Sequence, residues 1–111
     1  MMNMLERIFA IGLTKRHGDG LSAATDAAPL EVDVPSGATY AVVQPIDGDL
    51  VFEVGEHPDN PTPGSERIFG YRDAWISLLD RDAKRIKFSP IAGATIDGTV
   101  QFHLVWKYAA L

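Results

Sequence analysis

The residues of this chain that could carry chemistry are three histidines, an acidic triplet, a pair of neighbouring glutamates and a scatter of serines. His17, His57 and His103 are far apart, whereas metal ligands usually occur at short local spacings, so they read as surface histidines. Asp47-Gly48-Asp49 begins like a calcium loop but lacks the further oxygen ligands and closing glutamate of an EF-hand, and Asp47-Gly48 reads instead as a two-residue hairpin turn. Glu53 and Glu56 are the closest glutamate pair, and paired carboxylates can hydrolyse glycosides; these two fall at a strand end and in a proline-rich loop, a poor scaffold for fixed geometry. Ser22, Ser36, Ser65, Ser77 and Ser89 lie in no nucleophile elbow, and no glycine-rich phosphate loop is present. The expectation is a protein without catalytic residues, metal or cofactor, and not an enzyme. Tyr71, Trp75 and Trp106 could stack on sugar rings, but Trp106 is in register with Phe102 and Leu104 and reads as core.

The elements that would position these groups are strands. Val100, Phe102, Leu104, Trp106 and Tyr108 alternate with Gln101, His103, Val105 and Lys107, the period of a strand with one buried face, which predicts a central, well-packed final strand. Leu30 to Val34 alternates and is followed by a turn at Pro35-Ser36-Gly37. Thr39 to Gln44 is a β-rich run ended by Pro45, with Tyr40 and Val42 on one face and Ala41 and Val43 on the other. It is expected to form a hairpin with Leu50 to Val54 across the Asp47-Gly48 turn. The prolines and glycines of Gly55 to Gly64 exclude a central strand and predict an exposed loop. Arg67 to Phe69, Tyr71 to Leu79 with Trp75, Ile76, Leu78 and Leu79, Arg85 to Phe88 and a weaker Ile91 to Ile96 complete about eight strands, with no helix expected beyond residue 17. The expected fold is all-β: an antiparallel β-sandwich of jelly-roll type, with an immunoglobulin-like topology as the alternative.

With 111 residues, 46% of them hydrophobic, the chain is one domain able to bury a core without disulfides, and it has no cysteine. A net charge of −5 argues against nucleic acid as a partner. Charge is unevenly ordered: Asp47 to Glu66 holds only acidic charges, while Arg67 to Lys87 is mostly basic. An acidic side and a basic side would suit self-association, and a solvated surface of mixed sign is the plainer alternative. At the start, Met4, Leu5, Ile8, Phe9, Ile11 and Leu13 form an apolar stretch broken by Glu6 and Arg7, too short to span a bilayer and unlike a secretory signal, so no membrane is expected. His17 to Pro29 is small and polar and reads as a tether. The expected organisation is an N-terminal arm and flexible tether over residues 1–28, then a β-sandwich over residues 29–111. The arm either docks on its own domain or reaches another subunit.

The run Ala38 to Asp49, the segment Leu50 to Val54, the loop Pro61-Thr62-Pro63-Gly64 and a last strand ending at Tyr108, in a chain of 111 residues, resemble the small capsid decoration proteins of tailed phages, the staple or cement proteins of the epsilon-fifteen type. That resemblance implies a jelly roll on the outer surface of an icosahedral capsid, assembled in the host cytoplasm. It would clamp neighbouring major capsid protein subunits and pair with itself as a homodimer at two-fold positions. A carbohydrate-binding module and a tail or baseplate adaptor are the other readings. On the decoration reading, the expected partner contacts are Met4, Leu5, Ile8, Phe9 and Ile11 of the arm, with Arg81, Lys84, Arg85 and Lys87 as electrostatic contacts.

Overall fold

A computed structural model describes residues 14–17, 22–25, 29–70, 72–79, 82–91 and 99–108. They form nine strands: β1 (Thr14–Arg16), β2 (Ser22–Thr25), β3 (Leu30–Asp33), β4 (Ala38–Pro45), β5 (Leu50–Gly55), β6 (Glu66–Ile68), β7 (Ala74–Ser77), β8 (Arg85–Pro90) and β9 (Thr99–Tyr108). None of the described residues is helical.

The strands make two antiparallel sheets. In the first, β9 lies between β4 and the pair β1 and β2, and β7 flanks β4; the second has the order β3-β8-β5-β6. The pairings nest: β1 and β2 with β9, β3 with β8, β4 with β7, and β5 with β6. A chain folded back as one long hairpin makes those four pairings. Rolling the hairpin up adds the two that join its halves, β4 with β9 and β5 with β8. This is the jelly-roll connectivity, and it distinguishes the fold from an immunoglobulin sandwich. Nine strands appear instead of eight because β1 and β2 share one position, both running along β9, with Thr14 opposite Lys107 and Thr25 opposite Thr99.

The final strand is central, as its alternation predicts. Val100, Phe102, Leu104 and Trp106 are buried, while Gln101 and His103 are exposed. Between the sheets Phe102 meets Phe88 of β8 with ring centroids 4.8 Å apart, and Phe52 of β5 flanks Phe88. Trp106 is 2% exposed, and its indole N–H donates to His17 Nδ1 at 3.4 Å. The Pro35-Ser36-Gly37 turn forms as expected, with Gly37 at φ 87° and the Ala38 N–H donating to the Pro35 carbonyl, the arrangement that favours glycine at this position.

Two expectations are corrected. The hairpin between β4 and β5 does not exist: β4 pairs with β7 and β9 in one sheet, β5 with β6 and β8 in the other. The Asp47-Gly48 segment is a corner between sheets. Leu50, Val51 and Phe52 are all buried, so this strand has both faces covered and could not sit beside β4 with one face in solvent. The arm and tether expected over residues 1–28 also give way at residues 14–16, in the arm, and 22–25, in the tether, which are strands of the sandwich. The small side chains that look unable to bury anything are what the site requires: Ala24, opposite Val100 on the inner face, is fully buried, and β2 packs against β8 of the other sheet. The arm residues Met4, Leu5, Ile8, Phe9 and Ile11, and the weak strand expected over 91–96 beyond Ile91, lie outside the described residues.

Candidate functional site

The two sheets present very different outer faces. On the second sheet, Val51 and Ser89 face one another across β5 and β8 on the side away from the core, yet they are 2% and 7% exposed. The proline-rich connection between β5 and β6 covers them. Pro61, Thr62 and Pro63 form a recess of about 290 Å³ with Val51, Ser89 and Ile91. Side chains pin this loop: Ser65 Oγ donates to Glu53 Oε1 at 2.6 Å, and Lys87 Nζ donates to Asn60 Oδ1 at 3.1 Å. Arg85 Nη1 donates to the Glu56 carbonyl at 2.6 Å. The loop is exposed, as expected, and its inner side covers Val51 and Ser89.

The first sheet has an open outer face. Trp75, Val42, Val105 and Arg16 form one row across β7, β4, β9 and β1. Trp75 is 59% exposed, and Tyr40 meets it edge-on with ring centroids 5.7 Å apart. Lys107 Nζ stands 5.8 Å from the Trp75 ring centroid and donates to Thr14 Oγ1 at 2.9 Å. Basic and polar side chains, Arg16, Lys107, His103 and Gln44, surround an aromatic and aliphatic centre, the layout of a binding surface with an apolar middle and a polar rim. Leu79, just beyond β7, is also exposed. The alternation along β9 marks Val105 as outward-facing, but nothing local shows that Trp75 would lie beside it, because that needs β7 and β9 on either side of β4.

At the corner between sheets, the acidic triplet is structural. Asp47 Oδ1 accepts the Gln101 N–H at 2.7 Å, tying the corner to β9. Asp49 accepts the Gly70 N–H at 2.7 Å through Oδ1 and pairs with Arg67 through Oδ2. Arg67, and next the Gly70 N–H, hold the Asp49 carboxyl below its ordinary range. Arg67 also lies over the Phe69 ring, 4.9 Å from its centroid, with Arg72 at 5.5 Å. Gly70 is required here, since a Cβ would come within 2.6 Å of the Gly48 carbonyl oxygen.

The remaining candidates are dispersed. His17 packs on Trp106, His57 lies 3.4 Å from Arg85 Nη1, and His103 is on the outer face of β9 opposite Gln44. Among the described residues no group of three histidines and carboxylates could hold a metal ion. Glu53 is bonded to Ser65, and Glu56 contributes its carbonyl to Arg85. Of the basic contact residues, Arg85 and Lys87 engage the second sheet's own loop, and Arg85 Nε lies 3.4 Å from Asp33. Lys84 is exposed beside a recess of about 360 Å³ formed with Val34, Gly37, Leu78 and Ala83. Arg81 and Tyr71 lie outside the described residues. The acidic and basic spans do not form two sides: β5 sits between β6 and β8, which sets Val51 beside Arg67 and Glu53 beside Lys87. The outcome is the mixed-sign surface.

Compared with known families, curated proteins and solved structures, the chain matches none.

Proposed function

We propose that this protein is a non-catalytic structural protein of a virion: it decorates the outer surface of an icosahedral phage capsid and clamps neighbouring major capsid subunits. The observation that carries the binding part of this reading is the asymmetry of the two outer faces. One is covered by the chain's own proline-rich loop; the other exposes Trp75, with half-buried Tyr40, Val42 and Val105 beside it, inside a basic and polar rim. Aromatic anchors in such a setting contribute most of the binding energy in protein interfaces. The capsid as the partner rests on the sequence resemblance. The arm residues Met4, Leu5, Ile8, Phe9 and Ile11 and the exposed Lys84 would supply further contacts, and repeated weak contacts on one shell would add through multivalency.

The test is imaging of shells assembled from the major capsid protein of the encoding virus, with and without this protein. Added density on the outside at stoichiometric occupancy is expected, and it should disappear with Trp75→Ala. Shells that sediment without the protein at micromolar concentration would overturn the reading. Exposure of Trp75 also favours a second reading, stacking of a sugar ring on the open indole, which a glycan array separates from the first.

A further inference from the structure

We propose that in the free protein the open face of the first sheet is covered by the chain's own N-terminal segment, residues 1–13. The face contains Trp75, 59% exposed, in a row with half-buried Val42 and Val105, so the indole and the apolar row beside it are left partly open by the described residues. The chain supplies a matching occupant. Met4, Leu5, Ile8, Phe9, Ile11 and Leu13 form its most apolar stretch outside the described residues, interrupted by the adjacent pair Glu6 and Arg7.

The point of attachment fixes which molecule supplies the segment. Residue 14 is the first residue of β1, and Thr14 Oγ1 accepts a hydrogen bond from Lys107, the side chain that stands over Trp75. Residue 13 therefore joins the body at the margin of the patch. From β1 to β7 is three inter-strand steps, about 14 Å, which about five extended residues cover. Thirteen residues reach Trp75 with length to spare. A tethered segment this near competes at high effective concentration with any segment from a second copy. The apolar stretch and the aromatic face are then two halves of one surface, exposed together when the segment leaves.

This inference deepens the reading of that face as the partner surface, and its test needs no capsid. Trp75 and Trp106 are the two tryptophans, and Trp106 is 2% exposed, so acrylamide quenching of fluorescence reports mainly on Trp75. The full chain should be quenched weakly. Both a chain starting at Thr14 and the full-length Ile8→Asp, Phe9→Asp double variant should be quenched severalfold more strongly. In a Trp75→Phe background the truncation should change nothing. Equal quenching in all three proteins would overturn the inference, as would a difference that persists without Trp75. Protection that grows with protein concentration would overturn it too, placing a second copy on the face. Shell binding is measured separately: loss of shell binding with Trp75 protection intact would sink the capsid reading and leave this one standing.

Discussion

Replacing Asp49 tests how the corner between the sheets is held. Its carboxylate satisfies the Gly70 N–H and pairs with Arg67, joining the β4–β5 corner to the segment after β6. Asp49→Ala leaves the Gly70 N–H without its acceptor in a partly buried site, which costs about 1–3 kcal/mol. The Arg67 pair adds little, because that side chain is 47% exposed; pairs of this kind contribute about 0–1 kcal/mol. The sum is about 2 kcal/mol, or about 8 °C in melting temperature for a chain of this length. Asp49→Asn keeps an oxygen for Gly70 and should cost less than half as much. Urea unfolding followed by fluorescence measures both. If Asp49→Ala lies within 0.5 kcal/mol of the parent, about the scatter of ordinary surface substitutions, the corner is not held this way.

The same variant makes a pH prediction. A carboxyl whose folded pKa is depressed binds its proton less readily in the folded state than in the unfolded state, so it stabilises the fold above its unfolded pKa. That contribution falls away as pH drops from the unfolded value, about 3.9, through the lower folded value. The parent and Asp49→Ala should differ fully at neutral pH, and the gap should narrow under acid. A gap that is constant down to strong acid would locate the effect in packing rather than charge.

Three further outcomes follow from the packing. Trp106→Ala should cost about 3–5 kcal/mol by opening a cavity in the core, measured by denaturant unfolding, and would leave a domain of ordinary stability close to unfolding. Gly70→Ala should cost about 1–3 kcal/mol, because the added methyl meets backbone atoms of Gly48 at 2.6 and 3.0 Å, which no side-chain rotation relieves. Trp75→Ala, outside the core between the sheets, should cost well under half of the Trp106→Ala loss, with an unaltered circular dichroism spectrum. A large loss there would mean that Trp75 is part of the core.

Much of the fold is legible in the sequence where one side chain in two is large and apolar. The final strand is the clearest case: its inner positions carry Phe102, Leu104 and Trp106, and that alternation alone marks the strand, its buried face and its central place. Small residues hide the opposite edge, since a run such as Ser22-Ala-Ala-Thr25 has no amphipathic signature and Ala24 is identified as core only by Val100 beside it. The Asp47-Gly48 signal misleads for another reason. Turn chemistry specifies a local reversal but not which sheet receives the next strand. The discriminating sign is Leu50-Val51-Phe52, an unbroken apolar run that calls for cover on both faces. The candidate surface is the least legible part, since Trp75, Val42 and Val105 come from strands far apart in sequence and adjoin only through the rolled-up pairing.

That pairing also explains why the charges do not separate. A jelly roll places β5 between its sequence neighbour β6 and the distant β8, so the acidic stretch that includes β5 lies between Arg67 of β6 and the basic strand β8. Glu53 faces Lys87, Asp49 binds Arg67, and Arg85 closes on the Glu56 carbonyl. The second sheet thus uses its charges on itself, holding the proline-rich loop over Val51 and Ser89. Among the described residues the first sheet has no such cover, and Lys107 donates to Thr14 and stands near the Trp75 ring. One long hairpin rolled into two layers therefore produces a face whose charges are engaged by its own loop and, among the described residues, a second face that leaves Trp75 open.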